Sequence, residues 1–262
     1  MSVIPQKNIA DTGLSASMLG LGTVKFGRNQ GVKYPQGFEI PDDASILKLL
    51  SLAADSGINL LDTAPAYGVA QQRIGQLVGN SRDWLISTKV GEKFTDGKSE
   101  YSYSEADTRG SVENSLRVLK REVLDIVMIH SNGDDLRILQ HEAVLETLLE
   151  MKQEGKIRAL GISSKTVEGG LYALQYLDVV MCTYNLKETA ELPVIEAAAK
   201  RNKAIFIKKG LMSGHLADAD SDDPLLKSYR HVFSRRGVSS MIVGTINPVH
   251  LRQNIDALLQ VI

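Results

Sequence analysis

The sequence predicts an α/β fold, a closed (β/α)8 TIM barrel preceded by an N-terminal β-hairpin. Three observations carry the prediction. Short apolar runs alternate with longer stretches whose apolar residues recur three and four apart, the mark of strands alternating with helices. Runs such as Asp125-Ile126-Val127-Met128-Ile129 and Ala204-Ile205-Phe206-Ile207 are apolar at consecutive positions, as in a parallel sheet covered on both faces. Eight βα units fit within 262 residues, which suits the barrel better than a doubly wound open sheet.

The elements follow in order. Asn8 to Ser15 holds Gly13 in a turn and reads as a short hairpin placed to plug the barrel's bottom. Strands are expected over 18–22, 59–62, 84–89, 124–129, 159–163, 179–183, 204–208 and 240–244. Helical periodicity covers 42–55, 70–78, 104–119, 141–154, 167–176, 192–201 and 224–235. A last helix over 248–259 is capped by Asn247, with Pro248 in its first turn. No linker or low-complexity segment divides the chain, so residues 1–262 read as a single barrel domain.

Composition removes several classes of function. Thirty Lys and Arg stand against 31 Asp and Glu, and a formal charge of −1 without a basic block argues against a nucleic-acid surface. A hydrophobic content of 43% is too high for a disordered chain. No apolar run approaches the roughly 20 residues needed to span a bilayer. The lone Cys182 permits no internal disulfide and the start Met1 to Lys7 lacks an export segment, so a cytoplasmic location is expected. No metal is expected: His141-Glu142 has Leu145 where a zinc-protease motif needs its second His, and no other cluster has ligand spacing. Gly20-Leu21-Gly22 fails as a dinucleotide fingerprint because Lys25 replaces the third glycine.

Chemistry is expected where polar residues end strands, since the C-terminal ends of barrel strands surround the active site. Strand 59–62 delivers Asp62, strand 84–89 delivers Lys89, and His130 follows strand 124–129. Singly, each has a bland explanation: a turn cap, a lysine reaching solvent, a core histidine. Together they are harder to dismiss, because a lysine on a buried strand needs a counter-charge and Asp62 on the neighbouring strand can supply it. Tyr67 lies just beyond, in a turn fixed by Pro65 and Gly68. A neighbouring ammonium favours phenolate and is expected to bring the Tyr67 pKa down toward neutrality. The four groups then form a proton-transfer device for one carbonyl oxygen, with Tyr67 as acid, Lys89 and Asp62 tuning it and His130 orienting the carbonyl.

Leu61-Asp62-Thr63-Ala64-Pro65-Ala66-Tyr67-Gly68, Ser87-Thr88-Lys89-Val90-Gly91 and Val127-Met128-Ile129-His130 resemble the three catalytic motifs of the aldo-keto reductases, in their order and at suitable spacing. Leu19-Gly20-Leu21-Gly22-Thr23, Gly110 to Leu116 and Glu154 to Ser163 extend the resemblance along nearly the whole chain. It implies hydride transfer between an extended nicotinamide dinucleotide and an aldehyde, ketone or sugar carbonyl, with Asp62, Tyr67, Lys89 and His130 as catalytic tetrad. NADPH is expected ahead of NADH.

The same resemblance places cofactor contacts at Gly22, Thr23, Ser163, Ser164, Met181, Tyr184, Lys208, Lys209, Leu211, Gly244, Thr245, His250, Gln253 and Asn254. Ser163 and Ser164 take the places of a Ser-Asn pair at the carboxamide. Met181 stands for a glutamine, and Lys208 for a tyrosine that stacks on the nicotinamide. Gly244 to Asn254 resembles an adenosine-phosphate site, where helix amides meet an anion and His250 replaces an arginine, with Arg252 placed to compensate. The altered nicotinamide contacts keep a second reading open, an NADPH-binding regulatory module with little turnover. A Schiff-base lyase using Lys89 is a third.

The partner expected is a small carbonyl substrate, with oligomeric state left open. Because only Gln260-Val261-Ile262 follow the last helix, a shallow, open mouth is expected, shaped by loops 24–39, 92–103 and 131–135 and made adaptable by their glycines. Phe26 is a candidate pocket wall, and Trp84 a packing residue. The acidic loop with Asp218, Asp220, Asp222 and Asp223 is read as solvated, with no binding role.

Overall fold

Each of the eight apolar runs expected as a barrel strand forms one. In the computed structural model, which describes residues 3–32, 37–215 and 223–262, the chain opens with an antiparallel hairpin of β1 (Gln6–Ile9) and β2 (Leu14–Ser17). There follow β3 (Leu19–Gly22), α1 (Asp43–Asp55), β4 (Leu60–Asp62), α2 (Ala70–Leu77) and β5 (Leu85–Val90). A second hairpin of β6 (Glu92–Thr95) and β7 (Lys98–Tyr101) precedes α3 (Glu105–Leu119), β8 (Leu124–His130), α4 (Asp135–His141) and α5 (Val144–Gln153). The chain continues through β9 (Ile157–Ser163), α6 (Val167–Ala173), β10 (Val179–Thr183), α7 (Leu192–Lys200) and β11 (Ala204–Lys208). It ends with α8 (Pro224–Phe233), β12 (Val238–Val243) and α9 (Pro248–Leu259). Strands β3, β4, β5 and β8 to β12 pair in parallel and close into a barrel.

Strand side chains alternate between faces, and the burial follows that alternation. Leu60, Leu85, Ile126, Met128, Val179, Met181 and Phe206 fill the barrel interior, while Leu61, Ile86, Val127, Ile129, Val180 and Ile207 pack outward against the helices. Helix α1 shows the complementary periodicity: Ile46, Leu49, Leu50 and Ala53 are buried, and Asp42 caps its start by accepting from the Ser45 amide at 2.8 Å.

The first hairpin closes the bottom. Ile9, Leu14 and Ala16 join the interior cluster, and Lys7 Nζ donates to the Val238 carbonyl at 2.8 Å. Asn59, one residue before β4, accepts from the Ser17 amide at 2.8 Å and donates to the Ser15 carbonyl at 2.9 Å. All three contacts lie at strand starts, so the opposite, C-terminal ends remain as the mouth.

Three expectations change. Residues 92–101 form a hairpin rather than an adaptable loop, because Asp96 and Gly97 both take positive φ, 51° and 80°, the mirror-image turn that matches strand twist. Segment 131–135 leads directly into α4, a helix that the sequence periodicity, which starts at 141, does not predict. Phe26 does not wall the pocket: it ends a 3-10 helix at Val24–Phe26 and is fully buried in the outer layer. Trp84 is buried, as packing requires. Residues 33–36 of the first loop, and Asp218, Asp220 and Asp222 of the acidic one, lie outside the described residues.

Candidate active site

Moving up the barrel interior, the inward-facing residue at the end of five of the strands turns polar. Above Leu60 comes Asp62, above Leu85 and Ser87 comes Lys89, above Met128 comes His130, above Ala159 and Gly161 comes Ser163, and above Phe206 comes Lys208. The two-residue period thus gathers five polar side chains from five strands at one end.

Lys89 is buried and fully engaged. Its Nζ donates to Asp62 Oδ1 and Oδ2 at 2.7 and 2.8 Å and to the Thr63 carbonyl at 3.0 Å, and Ser87 Oγ donates to Asp62 Oδ1 at 3.3 Å. Burial disfavours its charge, but Asp62 and Tyr67 outweigh that and raise the Lys89 pKa. Tyr67 closes a 3-10 turn, Pro65–Tyr67, with its ring centre 5.0 Å from Lys89 Nζ. The Ala66 carbonyl accepts from Arg28 at 3.0 Å, which pins the turn. Here an expectation is corrected: the Tyr67 pKa is raised, not lowered. Burial is the largest influence, the Lys89 ammonium opposes it without overcoming it, and Asp62, whose charge already balances Lys89, adds to the rise.

His130 stands across from Tyr67, the two rings edge to face with centres 6.4 Å apart. Its Nδ1 is sealed from solvent and is approached at 2.7 Å by Glu92 Oε2, off the axis of an ideal hydrogen bond. The other oxygen, Glu92 Oε1, accepts from Ser99 Oγ at 2.6 Å. Burial alone would raise the Glu92 pKa, yet His130, the Ser99 hydroxyl and Arg28 together hold it down at about 2. The His130 pKa is lowered, chiefly by burial, with Glu92 opposing and the Lys89 and Lys208 ammoniums adding to the fall. Gly91 makes this placement possible. At φ 103° it turns the chain from β5 into β6, and a Cβ there would sit 2.5 Å from the Tyr103 ring, whose hydroxyl donates to the His130 carbonyl at 2.9 Å.

On the far side of the mouth, Lys208 Nζ donates to Ser163 Oγ at 2.8 Å and to the Ser164 carbonyl at 2.5 Å. Its pKa is lowered to about 8, by burial first, with Glu191 opposing. Ser164 and Tyr184 have the outward parity. Ser164 Oγ donates to Glu191 Oε1 at 2.9 Å, and Glu191 Oε2 accepts from the Thr183 amide at 2.7 Å. Tyr184 is fully buried, accepts from Arg235 Nε at 2.9 Å and stacks on His231 at 4.7 Å. Met181 faces inward, one layer below the mouth, among Met128 and Phe206.

The remaining candidate contacts surround this centre. Gly22 pairs in register with Asp62, and the buried Thr23 sends both its amide and its hydroxyl to the Asp62 carbonyl, at 2.9 and 3.0 Å. Lys209 takes φ 55° and its carbonyl accepts from Asn185 at 3.1 Å, whereas Leu211 packs partly buried against the core. Gly244 and Thr245 lead into α9, where Thr245 Oγ1 accepts from the Asn247 amide at 3.1 Å and Asn247 Oδ1 from the Val249 amide at 2.8 Å. His250 and Gln253 are exposed on its first turns. Asn254 is buried and spends its amide internally, accepting from the Tyr229 hydroxyl at 2.7 Å and donating to the His250 carbonyl at 2.6 Å.

Sequence reasoning missed Glu92 and Glu191, since neither ends a barrel strand. The Asp96-Gly97 turn was the available signal for Glu92. Among the described residues no group of three His, Cys, Asp or Glu side chains is set to hold a metal ion, and no helix is long and apolar enough to cross a membrane. The donor set does fit a nicotinamide amide: an ammonium offers three N–H donors, and the Lys208 contacts among the described residues use two, beside a Ser163 hydroxyl that still has its own hydrogen to give.

The sequence model of the Aldo/keto reductase family matches residues 18–228. Two solved structures from Pseudomonas aeruginosa, both described as aldo-keto reductases, superpose with TM-scores of 0.89 and 0.91 at 49% and 47% identity. They cover 98% and 99% of this chain and 94% and 97% of their own. Aldo-keto reductase YhdN of Bacillus subtilis is 29% identical over 223 residues, 80% of this chain, which spans just 64% of that relative's length. Pyridoxine 4-dehydrogenase of Escherichia coli is 28% identical over 262 residues, 93% of this chain and 90% of its own.

Proposed function

The chain belongs to the aldo/keto reductase family, and on that footing we propose that it interconverts an aldehyde, ketone or sugar carbonyl and the corresponding alcohol with a nicotinamide dinucleotide, NADPH ahead of NADH. The observation that carries this reading is the buried Lys89–Asp62 pair beside the Tyr67 phenol at the barrel mouth. When bound, the dinucleotide supplies or takes up the hydride. The protein's own task is then to place a carbonyl oxygen and give it a proton. Tyr67 is the donor. Its raised pKa keeps the phenol protonated at neutral pH, and the fixed ammonium of Lys89 stabilises negative charge as it develops on the phenolic oxygen during transfer. Asp62 holds that ammonium in place and balances it. Because the pairing raises the Lys89 pKa, its amine is a poor nucleophile, which disfavours Schiff-base chemistry.

Ser163 and Lys208 would hold the nicotinamide amide. Thr245, His250, Arg252 and Gln253 at the start of α9 would hold the adenosine phosphate, beside the positive end of the helix dipole. Ser164, Tyr184 and Asn254 support this site from behind, through the internal hydrogen bonds their side chains make.

A carbonyl panel with NADPH and NADH separately, read by absorbance of the reduced cofactor, tests the proposal together with Tyr67→Phe. Turnover in the wild type and a loss of at least ~100-fold in the variant, with cofactor affinity kept, are expected. A variant that retains most of the rate removes Tyr67 as the acid. Cofactor binding without turnover across the panel would instead support a regulatory module.

A further inference from the structure

We propose that Lys208 is a covalent site for small aldehydes, a nucleophilic amine at the barrel mouth that condenses with a carbonyl compound to an imine. The inference goes beyond the hydride-transfer reading and needs no dinucleotide. Schiff-base chemistry, disfavoured at Lys89, is open at Lys208.

The two interior lysines differ in kind. Lys89 is 1% exposed and lies against the Asp62 carboxylate, which keeps it an ammonium. Lys208 ends β11 with the inward parity of Ala204 and Phe206 below it, yet its side chain is only partly buried. The ring of strands surrounds it and Phe206 and Met181 lie beneath, so that exposure is toward the mouth. Among the described residues no carboxylate pairs with it directly. Its Nζ instead meets two neutral acceptors, Ser163 Oγ at 2.8 Å and the Ser164 carbonyl at 2.5 Å. Burial is the largest influence and brings the Lys208 pKa down to about 8. Glu191, Cys182 and Asp135 favour the ammonium and Lys209 opposes it, while His130 feels the same charge across the mouth. A fall from 10.5 to about 8 raises the share of free amine at neutral pH on the order of a hundredfold.

The neutral amine has two hydrogens and one lone pair. The hydrogens match the two acceptors, and the lone pair is left to attack a carbonyl carbon. The C–N bond forms as the carbonyl π pair moves to oxygen, and one N–H proton passes to that oxygen to give the carbinolamine. Ser163 Oγ is placed to relay it, since a hydroxyl both accepts and donates. The second N–H proton leaves with the hydroxyl as water, and the nitrogen pair closes the C=N bond. The step consumes no oxidant and no reductant.

The test is reductive trapping on the whole protein without added dinucleotide, using limiting propanal and cyanoborohydride at pH 7, followed by peptide mass mapping of the lysines. Lys208 is expected to be alkylated at least ~10-fold faster than the exposed Lys200, and Lys89 to stay unlabelled. The Lys208 rate should rise with pH and level off above about 8. In urea-unfolded protein its lead over Lys200 should vanish. Lys208→Arg keeps a cation without the amine, so it should lose the fast adduct and leave Lys200 labelling unchanged. Alkylation of Lys208 no faster than of Lys200 in the folded wild type overturns the proposal and needs no variant to fold. A lead that survives unfolding, or a fast adduct on Lys89 in its place, overturns it as well.

Discussion

The Lys89 ammonium sits 5.0 Å from the centre of the Tyr67 ring, with Asp62 and Thr63 accepting from it at 2.7 to 3.0 Å. Lys89 acts on Tyr67 through its charge and a side-chain hydrogen bond, and what fixes it in place is Asp62. Removing one partner of a buried pair leaves the other uncompensated, which costs about 3–5 kcal/mol, whereas removing both can be close to neutral. Lys89→Met should lose at least ~100-fold in kcat/KM and unfold at lower denaturant. The double variant Lys89→Met/Asp62→Leu should recover most of the stability and none of the activity. Denaturant midpoints and steady-state rates on the three proteins separate the two effects. Equal stability in the single and double variants would show that the pair is not energetically coupled.

Lys208 predicts a pH effect on cofactor binding. Its pKa of about 8 means that the ammonium facing Ser163 is present at pH 7 and largely gone by pH 9.5. A charged donor to the nicotinamide amide is lost as pH rises through about 8, so dinucleotide affinity should fall, by roughly tenfold if one charge-assisted hydrogen bond is at stake. Titration by quenching of the single tryptophan, Trp84, or by calorimetry at the two pH values gives the ratio. In Lys208→Met the affinity should be lower at pH 7 and should lose this step. A wild type with the same affinity at both values would separate Lys208 from the cofactor.

That Asp62, Lys89 and His130 come together at one end of the barrel was legible because they lie at or next to strand ends, and Tyr67 was legible as a residue of the turn that follows Asp62. The barrel was legible because its strands are apolar at consecutive positions. The supporting residues were less so, for a physical reason. Tyr184 and Ser164 stand next to mouth positions along the chain, but a one-residue step turns a strand side chain to the other face. Thus Tyr184 stacks on His231 and Ser164 bonds Glu191, both outside the ring of strands. That much follows from parity. Glu92 depends on a hairpin folding back over the mouth, and the sign of the Tyr67 shift on the balance of burial against charge. Neither can be counted from residue spacing.

Gly91 should tolerate no side chain. At φ 103° an L residue is strained, and its Cβ would lie 2.5 Å from a Tyr103 ring that is itself hydrogen-bonded to the His130 carbonyl and the Asn132 amide. Gly91→Ala should cost about 1–3 kcal/mol from backbone strain, before the ring clash is counted. Because the displaced ring braces His130, activity should fall as well. Gly97→Ala offers the comparison, since φ there is also positive at 80° but nothing lies within 4 Å of the added Cβ. Its stability should fall less and its kcat/KM should be unchanged, as measured by thermal melts and rates side by side.

Glu92 should also show in the acid stability of the fold. Its pKa is about 2 in the folded protein against an ordinary 4.5. As pH falls, the unfolded chain takes up this proton before the folded one does, so acid favours unfolding. The stabilisation is fully present above about pH 4.5 and is lost as pH approaches 2. Glu92→Gln cannot titrate and keeps an acceptor for Ser99. Wild type should therefore exceed the variant in stability at pH 6, and the gap should narrow through pH 4 and 3. Urea denaturation at those three values measures it. A gap that stays constant with pH would mean that Glu92 contributes by packing and hydrogen bonding alone, and that its charge does not act on His130 in the folded state.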